Sequence, residues 1–157
     1  MTPGTSAKGP PKMNDFSMDT AAPVVTQPMT MELLDNSGVA LPLEAELHYD
    51  ARDPYAAVVL FDTARGRVRW AFGRDLLLAG LYEPAGDGDV HVWPCHDSAD
   101  RPVVIIELIS SHGCALVQAR LDDVSRFVDR VTILVEPGTE SDHLDVDAAI
   151  AAILDAA

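Results

Sequence analysis

Apolar and polar residues alternate along several short segments of this chain. Between residues 41 and 49 the apolar positions are Leu41, Leu43, Ala45, Leu47 and Tyr49. This period of two is typical of a strand with one buried face. Residues 24–34 precede it across the turn signal Asp35-Asn36-Ser37-Gly38 and are predicted to form a partner strand. The nearly all-apolar run from 55 to 61 predicts a strand that is covered on both faces.

The rest of the chain predicts more strands, each group followed by a helix. A strand near residues 67–72 directs Val68, Trp70 and Phe72 to one side. A short helix over 75–81, closed by Gly80, and a loop over 83–88 follow. Strands are predicted at 90–93, 103–109 and 114–119. A helix follows, whose apolar stripe is Leu121, Val124, Phe127, Val128, Val131 and Leu134.

A terminal amphipathic helix is predicted after the break at Pro137-Gly138. Its apolar positions are Val146, Ile150, Ile153 and Leu154. Strands that occur in groups, with helices between the groups, favour antiparallel pairing. The predicted fold class is therefore α+β, with two antiparallel β-sheets and helices packed against them.

The length of 157 residues fits one domain. Residues 1–22 are rich in Pro, Gly, Ser, Thr and Ala and lack a periodic apolar pattern, which predicts a disordered N-terminal extension. Residues 23–157 are predicted to form the single domain. The chain has no apolar run long enough to span a membrane and no signal-peptide pattern, so we expect a cytoplasmic protein. In that setting Cys95 and Cys114 are expected to be reduced, buried thiols.

The formal charge of −14 excludes the usual electrostatics of a nucleic-acid-binding protein. All of this excess falls after residue 22, and no lysine follows Lys12. A chain that binds phosphates would instead carry clustered Lys and Arg. Basic protein surfaces are more plausible partners.

No catalytic or metal site is predicted, although several residues have side chains that could serve in one. Zinc ligands could come from His91, Cys95, His96, His112 and Cys114. Their spacing matches no compact zinc motif, and we expect Pro94 to interrupt the strand. Ser110, Ser111 and His112 favour a polar hairpin turn closed by Gly113 over a hydrolase site. Residues 86–89 form a predicted turn, because their acids would repel phosphate and the calcium-loop spacing is missing. No cofactor is predicted.

Arginines at positions 65, 67 and 69 are the strongest argument for an alternative function. With Trp70 beside them, Arg65, Arg67 and Arg69 could form one strand face that binds single-stranded nucleic acid. The other interpretation is that they pair across strands with acids such as Glu44, Glu46 or Asp62. The net charge favours pairing.

A set of short motifs in collinear order resembles one family. They are Leu41-Pro42, Tyr49-Asp50, Asp53-Pro54-Tyr55-Ala56, Phe72-Gly73-Arg74-Asp75-Leu76-Leu77, Gly80-Leu81, Gly88-Asp89-Val90, Val92-Trp93-Pro94, Pro137-Gly138-Thr139-Glu140, Leu144-Asp145-Val146-Asp147 and Ile153-Leu154. From about residue 25 to its end, the chain resembles the SsgA-like sporulation and cell-division regulators of spore-forming actinobacteria.

The resemblance implies a function and a fold that the residues alone do not. It implies a non-enzymatic regulator of septation that acts at division septa by protein binding, with FtsZ, another SsgA-like protein or cell-wall machinery as partner. It also implies a whirly-like fold, similar to that of whirly-type nucleic-acid-binding proteins, and a homotrimer. The motif residues that we select as possible interaction residues are Tyr49, Asp50, Asp53, Pro54, Tyr55, Trp70, Arg74, Asp75, Trp93 and Pro94.

Overall fold

The computed structural model describes residues 23–86 and 88–156. The predicted N-terminal extension and Asp87 of the predicted turn lie outside these residues. The strands are β1 (Val24–Leu34), β2 (Ala40–Asp50), β3 (Ala56–Thr63), β4 (Gly66–Gly73), β5 (Val90–His96), β6 (Pro102–Ser110) and β7 (Gly113–Arg120). The helices are α1 (Arg74–Gly80), α2 (Leu121–Leu134) and α3 (Val146–Ala156), and a 3₁₀ helix spans Glu140–His143.

The strands form one seven-stranded sheet in the order β4-β3-β2-β1-β7-β6-β5, with every neighbouring pair antiparallel. The α+β class is confirmed, but the expectation of two separate sheets is wrong. β1 pairs with β2 along its whole length, and its last three residues, Glu32 to Leu34, also pair with β7. This short ladder joins a four-stranded group to a three-stranded group.

The inner face of the sheet carries the hydrophobic core. Leu47, Val59, Val92 and Ile106 lie on this face and are fully buried. α1 and α2 pack against it, and α2 contributes the buried side chains of Val124, Phe127, Val128 and Val131. The outer face of the four-stranded part mixes charged side chains, such as Glu46 and Arg69, with apolar ones, such as Val58 and Leu60. The predicted period-two alternation therefore corresponds to these two faces.

Gly80 ends α1 for a different reason from the one its sequence position indicates. A glycine at a helix end usually adopts a left-handed backbone, but Gly80 is not among the residues with positive φ. A Cβ atom at this position would lie 2.3 Å from Cγ1 of Val92. The residue is needed because the end of α1 touches β5.

Two strand boundaries differ from the predictions. β5 continues through Pro94 to His96. It is the edge strand of the sheet, where a missing N–H is tolerated because one side of the strand has no continuous partner. Tyr55 was predicted inside β3 but precedes it, in a turn, and is 49% exposed.

The predicted terminal helix is present as α3. Asp145 caps it, because its Oδ1 accepts a hydrogen bond from the N–H of Ala148 at 2.9 Å. None of its side chains is buried, so the expected packing of its apolar face against the domain is absent from the described residues. None of the helices in the described ranges is long and apolar enough to cross a membrane.

Candidate functional site

A buried arginine at the start of α1 joins three distant segments of the chain. Arg74 is 1% exposed. Its Nη1 donates hydrogen bonds to the carbonyl oxygen of Val135 at 2.8 Å and to the hydroxyl oxygen of Tyr49 at 3.3 Å. Its Nη2 donates to Oε2 of Glu140 at 2.8 Å. The guanidinium also lies 5.5 Å from the centre of the Tyr49 ring. We call Tyr49, Arg74, Val135 and Glu140 the Arg74 cluster.

The charge of Arg74 is compensated by Glu140, although its Nε is buried without a hydrogen-bond partner among the residues that the structure describes. The hydrogen bond from Arg74 is the largest cause that lowers the pKa of Glu140 below its usual value. The N–H of Gly138 donates to the other carboxylate oxygen of Glu140 at 2.9 Å. Burial raises the pKa of Tyr49, so its phenol stays protonated and donates to the carbonyl oxygen of Pro54 at 2.8 Å.

The cluster fixes the turn between β2 and β3. Tyr49 holds the carbonyl oxygen of Pro54, and the backbone N–H of Arg74 donates to the carbonyl oxygen of Tyr55 at 2.8 Å. Within the turn, the N–H of Asp53 donates to the carbonyl oxygen of Asp50. The side chains of Asp53 and Tyr55 are left exposed. A rigid scaffold therefore presents an aromatic ring and a carboxylate at the surface.

A small cleft of about 260 Å³ lies beside this turn on the outer face of β2, β3 and β4. Its lining residues are His48, Asp50, Asp53, Ala56, Val58, Leu60 and Arg69. We call it the β2–β3 cleft. Arg52 makes a bidentate contact with the carboxylate of Asp50. The hydrogen bond from Arg52 is the largest cause that lowers the pKa of Asp50, so this carboxylate stays ionised. Charged walls around an apolar floor suit a side chain of a bound polypeptide.

The predicted interaction residues are only partly brought together. Tyr49, Asp50, Asp53, Pro54, Tyr55 and Arg74 lie in or next to the Arg74 cluster. Asp75 is exposed in the first turn of α1, where a negative charge is favourable. Trp93 is half-buried on the outer face of β5, and Pro94 follows it on the inner face. Trp70 is half-buried near the β6–β7 hairpin.

The arginine face of the alternative function is not continuous. Arg65 lies in the turn before β4, so only Arg67 and Arg69 share a strand face. Trp70 points to the opposite side and packs against the core. The Nε atom of Arg67 forms an ion pair with Oδ1 of Asp62 at 2.8 Å, which confirms the predicted cross-strand pairing.

The five residues considered for zinc do not come together in one place. His91 contacts Glu107, and the thiol of Cys114 donates to the same carboxylate at 3.5 Å. Cys95 and His96 lie at the end of β5, next to the β5–β6 turn, and His112 is in the β6–β7 turn. No group of three His, Cys, Asp or Glu residues that could hold a metal occurs within residues 23–86 and 88–156.

The two cysteines are free, but the expectation that they are buried is wrong. Both are exposed, because each lies on the outer face of the sheet near a strand end. The thiol of Cys114 has a raised pKa, mainly because of its partial desolvation.

The hairpin after β6 is the polar turn that the sequence predicts. The N–H of His112 donates to the hydroxyl oxygen of Ser110 at 3.1 Å, and Gly113 has a φ of 136°. Both Ser111 and His112 are exposed.

Two residues of the Arg74 cluster have roles that the sequence does not predict. Glu140 belongs to a family motif that does not indicate its partner, and Val135 contributes through its carbonyl oxygen, which has no sequence signal. One signal was available, because an arginine next to the buried residues of a short helix needs an acceptor or a counter-ion. The spacing of residues does not indicate that the counter-ion is Glu140, which is 66 residues away along the chain.

Comparisons with known proteins identify the family. The family model described as "Streptomyces sporulation and cell division protein, SsgA" matches residues 43–140. The sporulation-specific cell division protein SsgB of Kineococcus radiotolerans is 47% identical over 127 residues, which cover 80% of this chain and 77% of the relative. SsgB of Streptomyces coelicolor is 43% identical over 125 residues, covering 79% and 90%.

Solved structures agree with this relationship. An SsgB structure, described with mutations that correlate to longitudinal cell division during sporulation of Streptomyces coelicolor, has a TM-score of 0.74 at 40% identity, covering 78% of this chain and 97% of that one. An SsgA-like sporulation-specific cell division protein from Thermobifida fusca has a TM-score of 0.75 at 35% identity, covering 84% and 96%. The chain therefore belongs to the SsgA family of sporulation and cell-division proteins.

Proposed function

We propose that this protein is a non-enzymatic regulator of sporulation-specific septation that acts by binding other proteins at division septa. Its partner is a component of the division or cell-wall machinery, with FtsZ and a second SsgA-like protein as the first candidates. The family membership supports the cellular process, and the surface features of the chain support the mode of action.

The observation that carries the proposal is the turn held by the Arg74 cluster. Burying a charged network is costly unless its charges are paired. Here it fixes the turn that exposes Tyr55 and Asp53 next to the β2–β3 cleft. Rigidly presented aromatic side chains are enriched among the residues that dominate protein interfaces. We infer that Tyr55 is the anchor of the partner contact.

The proposal includes the homotrimer and the whirly-like fold that the family resemblance implies. A seven-stranded antiparallel sheet with helices on its inner face is compatible with such a fold. The apolar side chains of α3, which are exposed in the single chain, support self-association.

Septation in the native sporulating host tests the proposal. We expect Tyr55→Ala to reduce the number of sporulation septa, with the fluorescently tagged protein diffuse instead of septal. Tyr82→Ala is the matched control, because Tyr82 is 83% exposed and is distant in sequence from the turn. Equal septum numbers in both variants at equal protein levels, or a wild-type protein that never localises to septa, would refute it.

A further inference from the structure

The two edge strands of the sheet differ in how their backbones are protected. β5 pairs with β6 on one side. On its free side, the N–H of Val92 donates to the carbonyl oxygen of Ala85 at 2.9 Å, and the carbonyl oxygen of Val92 accepts from Ala85 at 2.8 Å. Pro94, two residues further on, has no N–H to donate on that side. Such covers and prolines protect a sheet edge from pairing with another chain.

β4 forms the other edge, and within the described residues it carries neither form of protection. It pairs with β3 over all eight residues, and the N–H of Arg74 continues this ladder to the carbonyl oxygen of Tyr55. Only alternate residues of an antiparallel pair bond to each other, so the even-numbered residues of β4 bond to β3. The backbone groups of Arg67, Arg69 and Ala71 therefore point to the free side, where no described strand or bridge pairs with them. We call this free side the β4 edge.

Two grooves with apolar walls lie beside the β4 edge. One, of about 330 Å³, separates Trp70 from Leu108 and Ala115 near the β6–β7 turn. The other, of about 300 Å³, lies between Phe72 of β4 and Val90, the first residue of β5. The sheet therefore curls until β4 faces the opposite group of strands across a gap that holds no strand in the described part of the chain.

The side chains of β4 favour an added strand that is acidic on one face and apolar on the other. Residues 64–73 contain three arginines and no acid. On the outer face, Arg69 takes part in none of the ion pairs between described residues. On the inner face, Val68 is 41% exposed and Trp70 is half-buried. The net negative charge of the molecule is screened beyond about 8 Å at physiological salt, so the neighbouring arginines dominate.

The same features disfavour a second copy of this chain as the added strand. Two β4 strands that pair edge to edge would bring their arginines together, and like charges across a strand pair are destabilising. The β5 edge of a second copy is already occupied by Ala85 and interrupted by Pro94. The added strand therefore comes from a different protein.

We propose that the β4 edge binds an extended segment of another protein as an eighth strand of the sheet. Its acidic side chains lie on the outer face beside Arg67 and Arg69, and its apolar side chains lie on the inner face over the two grooves. In this mode of recognition, main-chain hydrogen bonds provide affinity and the alternating side chains provide specificity. The inference rests on the proposed function, because it names the kind of segment that a bound partner contributes.

Peptide binding to the purified full-length protein tests the charge preference. The probe is a fluorescein-labelled peptide of nine residues in which glutamate and valine alternate, and its matched control has lysine in place of glutamate. Fluorescence anisotropy should show at least about tenfold tighter binding of the glutamate peptide. Arg67→Glu combined with Arg69→Glu should reverse this order. Arg126→Glu combined with Arg130→Glu makes the same change of net charge on α2 and should leave the order unchanged.

The main-chain contact is tested at Ala71, whose N–H points to the free side. An edge strand tolerates proline at such a position, so Ala71→Pro should fold and lose binding of the glutamate peptide, while Ala71→Ser should keep it. Amide hydrogen exchange followed by NMR gives a second measurement on the unmodified protein. The amides of Arg69 and Ala71 should exchange at least about tenfold more slowly in the complex, because each gains a hydrogen bond.

Several results would overturn the proposal. They are no binding of the glutamate peptide at millimolar concentration, equal affinity for the two peptides, or unchanged exchange of the Arg69 and Ala71 amides in the complex. Undiminished binding by Ala71→Pro with a wild-type melting temperature would do the same, and the exchange measurement decides if that variant does not fold. None of these readouts uses a division protein or Tyr55, so they can fail while the septation phenotype of Tyr55→Ala holds.

Discussion

Arg74 shows how one residue determines the arrangement of a surface. Its charge is buried, and the groups that compensate it come from β2, from the end of α2 and from the 3₁₀ helix. Removing Glu140 would leave this charge without its counter-ion, which is among the most destabilising of single changes.

We expect Glu140→Ala to lower the urea midpoint of unfolding by roughly 2 M. The control is Glu136→Ala, because Glu136 is exposed and contributes only its backbone carbonyl to hydrogen bonds in the described residues. Equal midpoints for the two variants, measured by circular dichroism, would show that the Arg74 cluster does not stabilise the fold.

The same ion pair predicts a dependence of stability on pH. The pKa of Glu140 is lower in the folded protein than its ordinary value of 4.5. The unfolded chain therefore takes up the proton first. The stabilisation is complete above pH 4.5 and is lost as the pH falls through the folded pKa.

Urea unfolding can be measured at pH 7 and at acid pH. We expect acidification to lower the stability of Arg74→Met by less than it lowers that of the wild type. Methionine removes the hydrogen bond and the charge that lower the Glu140 pKa while it keeps an apolar side chain in the buried space. An equal loss of stability at acid pH in both proteins would contradict the role of the ion pair between Arg74 and Glu140.

For the strands and helices, local sequence patterns were sufficient to predict where an element lies along the chain. They were not sufficient to predict what each element packs against. The alternation over 41–49 and the stripe over 121–134 predicted β2 and α2 closely. The sequence could not show that Pro94 lies in an edge strand, or that β1 joins two groups of strands, because both depend on the neighbours of a strand. It also could not show that the apolar side of α3 remains uncovered.

The contact between α1 and β5 gives a prediction at this scale. Gly80→Ala should destabilise the protein by about 1–3 kcal/mol, because the new methyl group would overlap the side chain of Val92. Gly73→Ala is the control, since nothing lies within 4 Å of a Cβ atom there. Adding Val92→Ala to Gly80→Ala should recover part of the loss. Equal melting temperatures for the two glycine variants would contradict this contact.

For the whole molecule, the net charge favours binding to proteins over binding to nucleic acid. The formal charge is −14, and Arg67 is already paired with Asp62. Counter-ion release cannot drive binding to a polyanion without a basic surface. Fluorescence anisotropy with a labelled single-stranded oligonucleotide should show no binding even at low salt. A micromolar affinity that falls steeply with added salt would restore the alternative function.

The sequence predicted only part of the candidate site, because the fold of the whole chain decides which motif residues lie together. Tyr49, Pro54, Tyr55 and Arg74 were selected as separate motif residues, and the fold connects them through hydrogen bonds. Trp70 and Trp93 were selected with the same reasoning, and the fold places them elsewhere. Motifs that are close in sequence order do not reveal which of their members share a surface.

We propose that the protein contacts division or cell-wall proteins through the turn that carries Tyr55. Photo-crosslinking in sporulating cells detects this contact, with benzoylphenylalanine incorporated at position 55 or, as control, at position 82. We expect position 55 to capture a division or wall-synthesis protein and position 82 to capture none. Capture of such a protein at neither position, or equally at both, would contradict it.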